Sequence, residues 1–260
     1  MKRVLVTGSN GQLGLCIQEL SKTISGYDFV FTTSKELDIT DAKSVTDFFS
    51  AGHYDFCINC AAYTNVEKAE KFPEPAFEIN AEAVKNLSVS CKEFNVVLIH
   101  ISTDYVFDGT KKTPYTVKDI PNPINEYGRS KLLGERYVQR FLNKYILIRT
   151  SWLYSDYGHN FYRTIVEKSK TEKELYITDE QIGCPTNAIN LAGFILGLLS
   201  KPTLDYGIYH FTDGEAMTWF DFADKILNEK GLRNKVELVR DRNYRTFAKR
   251  PKNSILINFL

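Results

Sequence analysis

The segment Thr7-Gly8-Ser9-Asn10-Gly11-Gln12-Leu13-Gly14 constrains this chain more than any other. It follows a short aliphatic run, Val4 to Val6, and opens a stretch, Gln12 to Ile24, whose apolar residues Leu13, Cys16, Ile17 and Leu20 recur at helical spacing. The three glycines answer three needs. Gly8 permits a sharp turn out of the strand, Gly11 lets backbone amides approach a diphosphate, and Gly14 lets helix and sheet pack closely. The start of the helix then offers unpaired N–H groups and a partial positive charge. A glycine triplet elsewhere says little, but at the first strand-to-helix turn it points to dinucleotide binding.

The chain after this turn keeps alternating. Asp28 to Thr32 reads as a second strand, and Asp41 to Phe49 as a helix capped by Thr40 or Asp41. Phe56 to Cys60 reads as a third strand, Glu74 to Glu93 as a long amphipathic segment, Val96 to Ile101 as a fourth strand, Tyr127 to Leu142 as a helix and Tyr145 to Ile148 as a fifth strand. Strands joined by helices imply right-handed crossovers and a parallel sheet covered on both faces. The expected fold is α/β, a Rossmann-like doubly wound parallel sheet over residues 1–150. Residues 151–260 read as a smaller mixed α/β substrate-binding lobe, with segments able to return to the first domain. Its helices are expected at Phe161 to Ser169, Ala188 to Leu199 and Trp219 to Lys230, and its strands at Leu175 to Ile177, Ile208 to Phe211 and Val236 to Val239. Thr110 to Asn125, with Pro114, Pro121 and Pro123, reads as a long loop, and loops of this length in a compact domain tend to be functional or mobile.

Composition removes several classes of function. Lys and Arg total 33 against 32 Asp and Glu, so the chain lacks the basic field of a nucleic-acid binder. Its longest nearly apolar stretch, Ala192 to Leu199, is far short of the roughly 20 residues that span a bilayer. Met1-Lys2-Arg3 leads into only Val4-Leu5-Val6, too short for a secretory signal, so a cytoplasmic protein is expected. The five cysteines are scattered, which suits a reducing compartment. Cys57 and Cys60 lie three apart in a strand and so face opposite ways, unable to share a metal or bond to each other. The four histidines stand alone, and no protein metal site is expected.

An acidic residue at the end of the second strand would hold a ribose 2′-hydroxyl and repel a 2′-phosphate. This chain has Thr32-Thr33-Ser34-Lys35 there, three hydroxyls and a cation, which favours NADPH with NADH tolerated. Further on, Tyr127-Gly128-Arg129-Ser130-Lys131 places a phenol and an ammonium one helical turn apart. A cation about 4 Å from the phenol, at an effective dielectric near 20, stabilises the phenolate by at most about 4 kcal/mol, a shift of up to ~3 pKa units. Ile101-Ser102-Thr103-Asp104-Tyr105 ends the preceding strand and sets hydroxyls at the sheet edge where a doubly wound fold binds its ligand.

TGSNGQLG, LDITD (Leu37 to Asp41), NCAAYTNVEKAE (Asn59 to Glu70), ISTDYVFDG (Ile101 to Gly109), YGRSK and RTSWLY (Arg149 to Tyr154) together resemble the extended short-chain dehydrogenase/reductases, and within them the dTDP-4-dehydrorhamnose reductase family. DEQIGCPT (Asp179 to Thr186) and RPKNSIL (Arg250 to Leu256) carry the resemblance through the second lobe. It implies that Gly8, Asn10, Gly11, Gln12 and Leu13 surround the cofactor diphosphate. Thr32, Asp38 and Ile39 would lie near the adenosine, and Ala62, Tyr63 and Thr64 would line the cofactor. Tyr127 would donate a proton, Lys131 would lower its pKa and hold the nicotinamide ribose, and Thr103 would orient the substrate carbonyl. Asp104 and Trp152 would contact a nucleotide-sugar, with Arg250 a candidate diphosphate clamp. The implied reaction is reduction of the C4 ketone of dTDP-4-dehydro-L-rhamnose.

Two features depart from the family pattern. Members that share a metal between subunits carry a carboxylate where this chain has Cys16, and relatives usually run on past the Arg250 segment into a further helical piece. A homodimer remains compatible with the resemblance, whereas a metal-bridged one is disfavoured. Two competing readings share the fold: another nucleotide-sugar epimerase, dehydratase or reductase, and a non-catalytic regulatory subunit. DEQIGCPT and RTSW stand against the first, and the presence of Tyr127, Lys131 and Thr103 stands against the second.

Overall fold

The structure, a computed structural model, describes residues 1–258. The first strands and helices run β1 (Lys2–Thr7), α1 (Gln12–Ser21), β2 (Tyr27–Thr32), α2 (Ala42–Gly52), β3 (Phe56–Asn59), α3 (Val66–Lys71) and α4 (Glu74–Phe77). A π-helical turn at Glu78–Glu82 leads into α5 (Ala83–Glu93), β4 (Val97–Thr103), a 3₁₀ turn at Asp104–Val106, α6 (Glu126–Phe141) and β5 (Tyr145–Thr150). The remainder comprises β6 (Leu153–Tyr154), α7 (Phe161–Lys168), β7 (Glu174–Ile177), β8 (Ile182–Gly183), β9 (Thr186–Asn187) and α8 (Ala188–Leu199). The last elements are β10 (Gly207–His210), β11 (Met217–Thr218), α9 (Trp219–Glu229) and β12 (Glu237–Arg240).

Six of these strands form one sheet in the order β10-β5-β4-β3-β1-β2, and every neighbouring pair is parallel. Alternation along β1 and β3 divides the core into two layers. Val4, Val6, Phe56 and Ile58 meet α1 and α8 on one face. Leu5 and Cys57 meet α2, α5 and α6 on the other. This is a doubly wound sheet covered on both faces. Cys57 belongs to the second layer while Cys60 packs on the first, so the two thiols face apart as their spacing dictates.

The second half of the chain does not stand apart from this sheet. Strand β10 pairs with β5, and α8 packs beside α1, so both complete the first core. The remaining elements build a smaller core in which Phe220, Phe222, Ala223, Ile226 and Leu227 of α9 meet Ile165 of α7 and Leu175 and Leu238 of the parallel β7–β12 pair.

The long amphipathic segment expected over Glu74 to Glu93 is helical but not uniform, because the π turn swings Asn80 inward to full burial. The carbonyl of Asn80 lies where a Cβ on Gly134 would be, 2.2 Å away, so α6 approaches this turn through a glycine. Helix α3 and the two-residue strands β6, β8, β9 and β11 were not expected from the sequence pattern. Val66-Glu67-Lys68-Ala69-Glu70-Lys71 buries only Ala69, too little apolar surface to announce a helix.

Two buried histidines are held neutral. Asn59 Nδ2 lies 3.1 Å from His100 Nδ1, and burial pushes the His100 imidazole well below its usual 6.5. His210 Nδ1 faces the Tyr115 carbonyl at 3.2 Å, and burial, reinforced by Arg149, lowers its pKa to about 4. A histidine whose folded pKa is depressed supports the fold fully above pH 6.5, and that support is lost as pH falls toward 4. Between about pH 7.5 and pH 5.5 His210 withdraws about 1.4 kcal/mol. His210→Gln should therefore shrink the difference in urea-derived stability between these two pH values by about that amount. An unchanged difference would contradict the neutral state.

Candidate active site

Strand β1 hands the chain outward to β2 on one side, and β3 and β4 follow on the other, so a crevice opens beyond the C-terminal ends of β1 and β3. A cleft of about 570 Å³ lies there. Asn10, Gly11, Gln12 and Leu13 line it from the glycine loop, Ala62 and Thr64 from beyond β3, Thr103 and Asp104 from the end of β4, and Tyr127 and Lys131 from α6. Trp152 and Trp219 close the far side. A second cavity of about 260 Å³ is lined by Gly8, Ser34, Asp38, Ile39 and Ala61. The two share Asn10, Gly11, Cys60 and Ala62, so they meet over the glycine loop.

That loop is built for close backbone approach. Gly8 has φ +66°, and a Cβ there would sit 2.5 Å from the Ala61 amide nitrogen; at Gly14 it would sit 2.6 Å from the Ser9 Cα. Helices α2, α3, α6, α7, α8 and α9 each begin under a capping side chain. Helix α1 begins at Gly11 with none and has no acidic residue in its first turn. Its leading N–H groups point into the cleft mouth unpaired by any cap, which suits the diphosphate of a dinucleotide.

Helix α6 is fixed at its start from three sides. Asn125 caps it on Gly128 N at 2.8 Å and donates through Nδ2 to the Lys249 carbonyl at 2.8 Å, and Glu70 accepts from Glu126 N at 2.9 Å. Gly128 lets the helix rest against the 3₁₀ turn, since a Cβ there would lie 2.2 Å from the Tyr105 carbonyl oxygen. The Tyr105 and Tyr127 rings meet edge to face at 5.8 Å. One turn further, Lys131 is buried, and its Nζ donates to the Ile101 carbonyl at 2.6 Å.

The electrostatics differ from the sequence expectation that Lys131 pulls the phenol down. Burial pushes Tyr127 up to about 12, with the Thr103 hydroxyl lowering it and Asp104 raising it. Burial likewise brings Lys131 down to about 8, against the carboxylate of Glu135 and the thiol of Cys60. The ammonium is directed at the Ile101 carbonyl and does not offset the desolvation of the phenol. Asp104 is also shifted, up to about 7, because it is buried.

Behind this site runs a polar network that sequence reasoning missed. Arg149 grips Glu135 with two hydrogen bonds, Nε to Oε1 at 2.9 Å and Nη2 to Oε2 at 2.7 Å, and both side chains are at most 2% exposed. Ser102 donates to Glu135 Oε1 at 2.5 Å, and the Arg149 guanidinium lies over the Phe107 ring. Asn80 holds both backbone groups of Tyr63, each at 2.9 Å, and donates to the Ser130 hydroxyl at 3.0 Å. Glu135 follows Lys131 by four residues, a spacing that could have flagged it; nothing in the sequence pattern marks Asn80.

Several expected residues sit elsewhere than the sequence placed them. Thr32 is buried, its hydroxyl donating to the Val6 carbonyl at 3.3 Å, so Ser34 rather than Thr32 lines the second cavity; Lys35 is exposed. Tyr63 presents its backbone to Asn80, while Ala62 and Thr64 line the cleft. Arg250 does not line the cleft. Its guanidinium pairs with Glu67 at 3.0 Å, and the same carboxylate accepts from Phe247 N and Ala248 N. Trp152 lines the cleft, held at φ +47° and stacked on Trp219 at 3.5 Å. From the DEQIGCPT segment, Gly183 backs its indole. Cys16 is buried, and the described residues contain no group of three or more metal-ligating side chains.

A glycine-loop dinucleotide crevice joined to a Tyr–Lys–Thr cluster defines an extended short-chain dehydrogenase/reductase. The family model described as the RmlD substrate binding domain matches residues 1–259. A dTDP-4-dehydrorhamnose reductase of Aggregatibacter actinomycetemcomitans is 37% identical over 98% of this chain and 90% of its own length. A crystal structure of a dTDP-4-dehydrorhamnose reductase from Clostridium acetobutylicum superposes with a TM-score of 0.93 at 39% identity, covering 98% of this chain and 90% of that one. One from Bacillus anthracis, in complex with NADP, gives 0.93 at 38% identity, covering 100% and 92%. The chain belongs to the dTDP-4-dehydrorhamnose reductase family.

The glycine contacts yield a direct test of how α6 is seated. Gly128→Ala should cost about 1–3 kcal/mol, since the new methyl meets a backbone carbonyl that cannot swing away. Gly197→Ala in α8, where no atom lies within 4 Å of the new Cβ, should instead stabilise by about 0.5–1 kcal/mol. Equal effects in urea unfolding would contradict the close approach of α6 to Tyr105.

Proposed function

We propose that this chain reduces the C4 ketone of dTDP-4-dehydro-L-rhamnose to dTDP-L-rhamnose with NADPH. The observation that carries the reading is the convergence of the uncapped α1 loop, Tyr127, Lys131 and Thr103 on one cleft in a chain of this family. Gly11, Gln12 and Leu13 hold the diphosphate, Gln12 and Leu13 through their amides and Gly11, whose N–H donates to the Gly8 carbonyl at 3.0 Å, by letting the backbone come close. Gly8, Ser34, Asp38 and Ile39 surround the adenosine, and Asn10, Ala62 and Thr64 border the remainder. Bound there, the reduced nicotinamide supplies the hydride.

The residues of the chain supply everything else. Thr103 orients the ketone oxygen toward Tyr127, whose phenol donates the proton; a phenol kept protonated by burial is suited to that task. Lys131, its ammonium anchored on the Ile101 carbonyl, would hold the nicotinamide ribose with its remaining N–H groups. Asp104 and Trp152 contact the nucleotide-sugar, with the Trp152–Trp219 stack as the wall of its subsite. Arg250, engaged by Glu67, is left out of the substrate contacts. The nucleotide-binding part is residues 1–150 together with α8 and β10, and the rest of 151–260 forms the sugar-nucleotide lobe. No helix among the described residues is long and apolar enough to cross a membrane, and free thiols suit a reducing compartment, so we place the enzyme in the cytoplasm.

Two variants test the assignment. Tyr127→Phe should keep NADPH affinity within a small factor while lowering turnover of the keto-sugar by ~10²–10⁴-fold, because only the proton donor is removed. Full activity in this variant would remove Tyr127 from the mechanism. Ser34→Asp places a carboxylate at the adenosine cavity and should lower the NADPH-to-NADH ratio of kcat/KM, by roughly 10-fold or more, through repulsion of the 2′-phosphate. A ratio that does not fall would show that this corner of the cavity does not hold the adenosine ribose.

A further inference from the structure

Asp104 is 2% exposed in the wall of the cleft, and its Oδ2 is buried without a hydrogen-bond partner among the described residues. No cation answers it. The titratable groups facing it are Tyr105 on its own turn, Tyr127 on α6 and Cys184 beyond β8, each disfavoured as an anion by the Asp104 charge. The Ser254 hydroxyl faces the carboxyl from the C-terminal segment. Arg250 acts on Tyr105 rather than on Asp104. A carboxylate in such surroundings holds its proton to about pH 7, whereas most carboxyls lose it near 4.

The hydrogen-bond capacity of Thr103 gives this protonation a consequence. Its Oγ1 is 3.0 Å from Asp104 Oδ1 and accepts from Tyr105 N at 3.1 Å, and it shares the cleft with the Tyr127 phenol, whose anion it favours. A hydroxyl has two acceptor sites and one hydrogen. One acceptor site is taken by the Tyr105 amide. When Asp104 is ionised, the only Thr103 hydrogen goes to the carboxylate. When Asp104 is protonated, its O–H fills the second acceptor site and the Thr103 hydrogen is free to point at Tyr127.

We propose that Asp104 is the proton reservoir that reloads Tyr127 through Thr103 after each turnover. This rests on the reductase reading, in which Tyr127 is left as a phenolate. The step is redox-neutral. The Thr103 O–H bond breaks as the Tyr127 Oη–H bond forms, and the Asp104 O–H bond breaks as a new Thr103 O–H bond forms. The Asp104 carboxylate then regains its proton from water. The transfer runs downhill, from an acid near pH 7 to a phenol near 12. Asp104 thus acts through Thr103 and Tyr127, beyond any contact it makes with the sugar.

Two measurements test this. Infrared titration of the enzyme with ¹³C-labelled aspartate, differenced against Asp104→Asn, reads the carboxyl with no substrate present. A protonated-carboxyl band that disappears with a midpoint near 7 supports the proposal, and ionisation complete by about pH 5 overturns it. With the keto-sugar, kcat of the wild type should fall as pH rises through that midpoint. Asp104→Asn should lower kcat about tenfold or more and abolish that limb, and it should add nothing in a Tyr127→Phe background. Thr103→Val should have the same effect and Thr103→Ser should restore the limb. A raised KM with unchanged kcat and unchanged pH profile would reduce Asp104 to a sugar ligand and overturn the relay. Absence of keto-sugar turnover in the wild type would instead refute the functional reading, with the infrared midpoint still deciding whether Asp104 holds a proton at neutral pH.

Discussion

The ion pair between Glu135 and Arg149 ties helix α6, which carries Tyr127 and Lys131, to the sheet. Arg149 is a cross-strand partner of Ser102, and both engage one carboxylate of α6. Buried charges gain from pairing only when their remaining hydrogen-bond sites are filled. Here Ser102 takes one site on Glu135, and the Phe107 ring supports the guanidinium. Removing either partner would strand a charge at a cost of about 3–5 kcal/mol. The position of Lys131, one turn before Glu135, depends on this clamp. So does its reach to the Ile101 carbonyl, next to Ser102 on the same strand.

From that anchor the site is assembled by local rules that all point at one crevice. The π turn presents Asn80 to both the Ala62–Thr64 segment and Ser130, so the segment after β3 and helix α6 share one buried amide. Glu67 and Glu70 of the short α3 hold the Phe247–Arg250 loop and the start of α6. These contacts account for a helix that buries only one alanine: its value lies in its carboxylates. Helix α1, which follows the glycine loop, begins without a capping side chain, and its first residues line the cleft.

The fold was largely legible because its signals are local. The short continuous apolar runs of β1 and β3, the glycine loop and the helical spacing of α1 and α6 each specify an element, and their order specifies the sheet. The cleft residues Tyr127, Lys131, Thr103, Asp104 and Trp152 were also legible, because sequence spacing puts them at strand ends and a helix start. What stayed hidden depends on distant partners. Thr32 was expected at the adenosine, but a strand residue's direction follows the pleat, and Ser34 faces the cavity instead. Arg250 was expected on substrate phosphate, yet Glu67, 183 residues away in sequence, claims it. The expected lowering of the Tyr127 pKa by Lys131 failed because spacing alone shows neither burial nor the Ile101 carbonyl that takes the ammonium.

The most direct test of the account follows the hydrogen atom. The enzyme would be given dTDP-4-dehydro-L-rhamnose and NADPH deuterated at nicotinamide C4, and the sugar product examined by NMR. Deuterium at C4 of a dTDP-rhamnose product, with an equal amount of oxidised cofactor released, is the result expected of a reductase. Label returned to the cofactor, label at another carbon, or no product at all would contradict it.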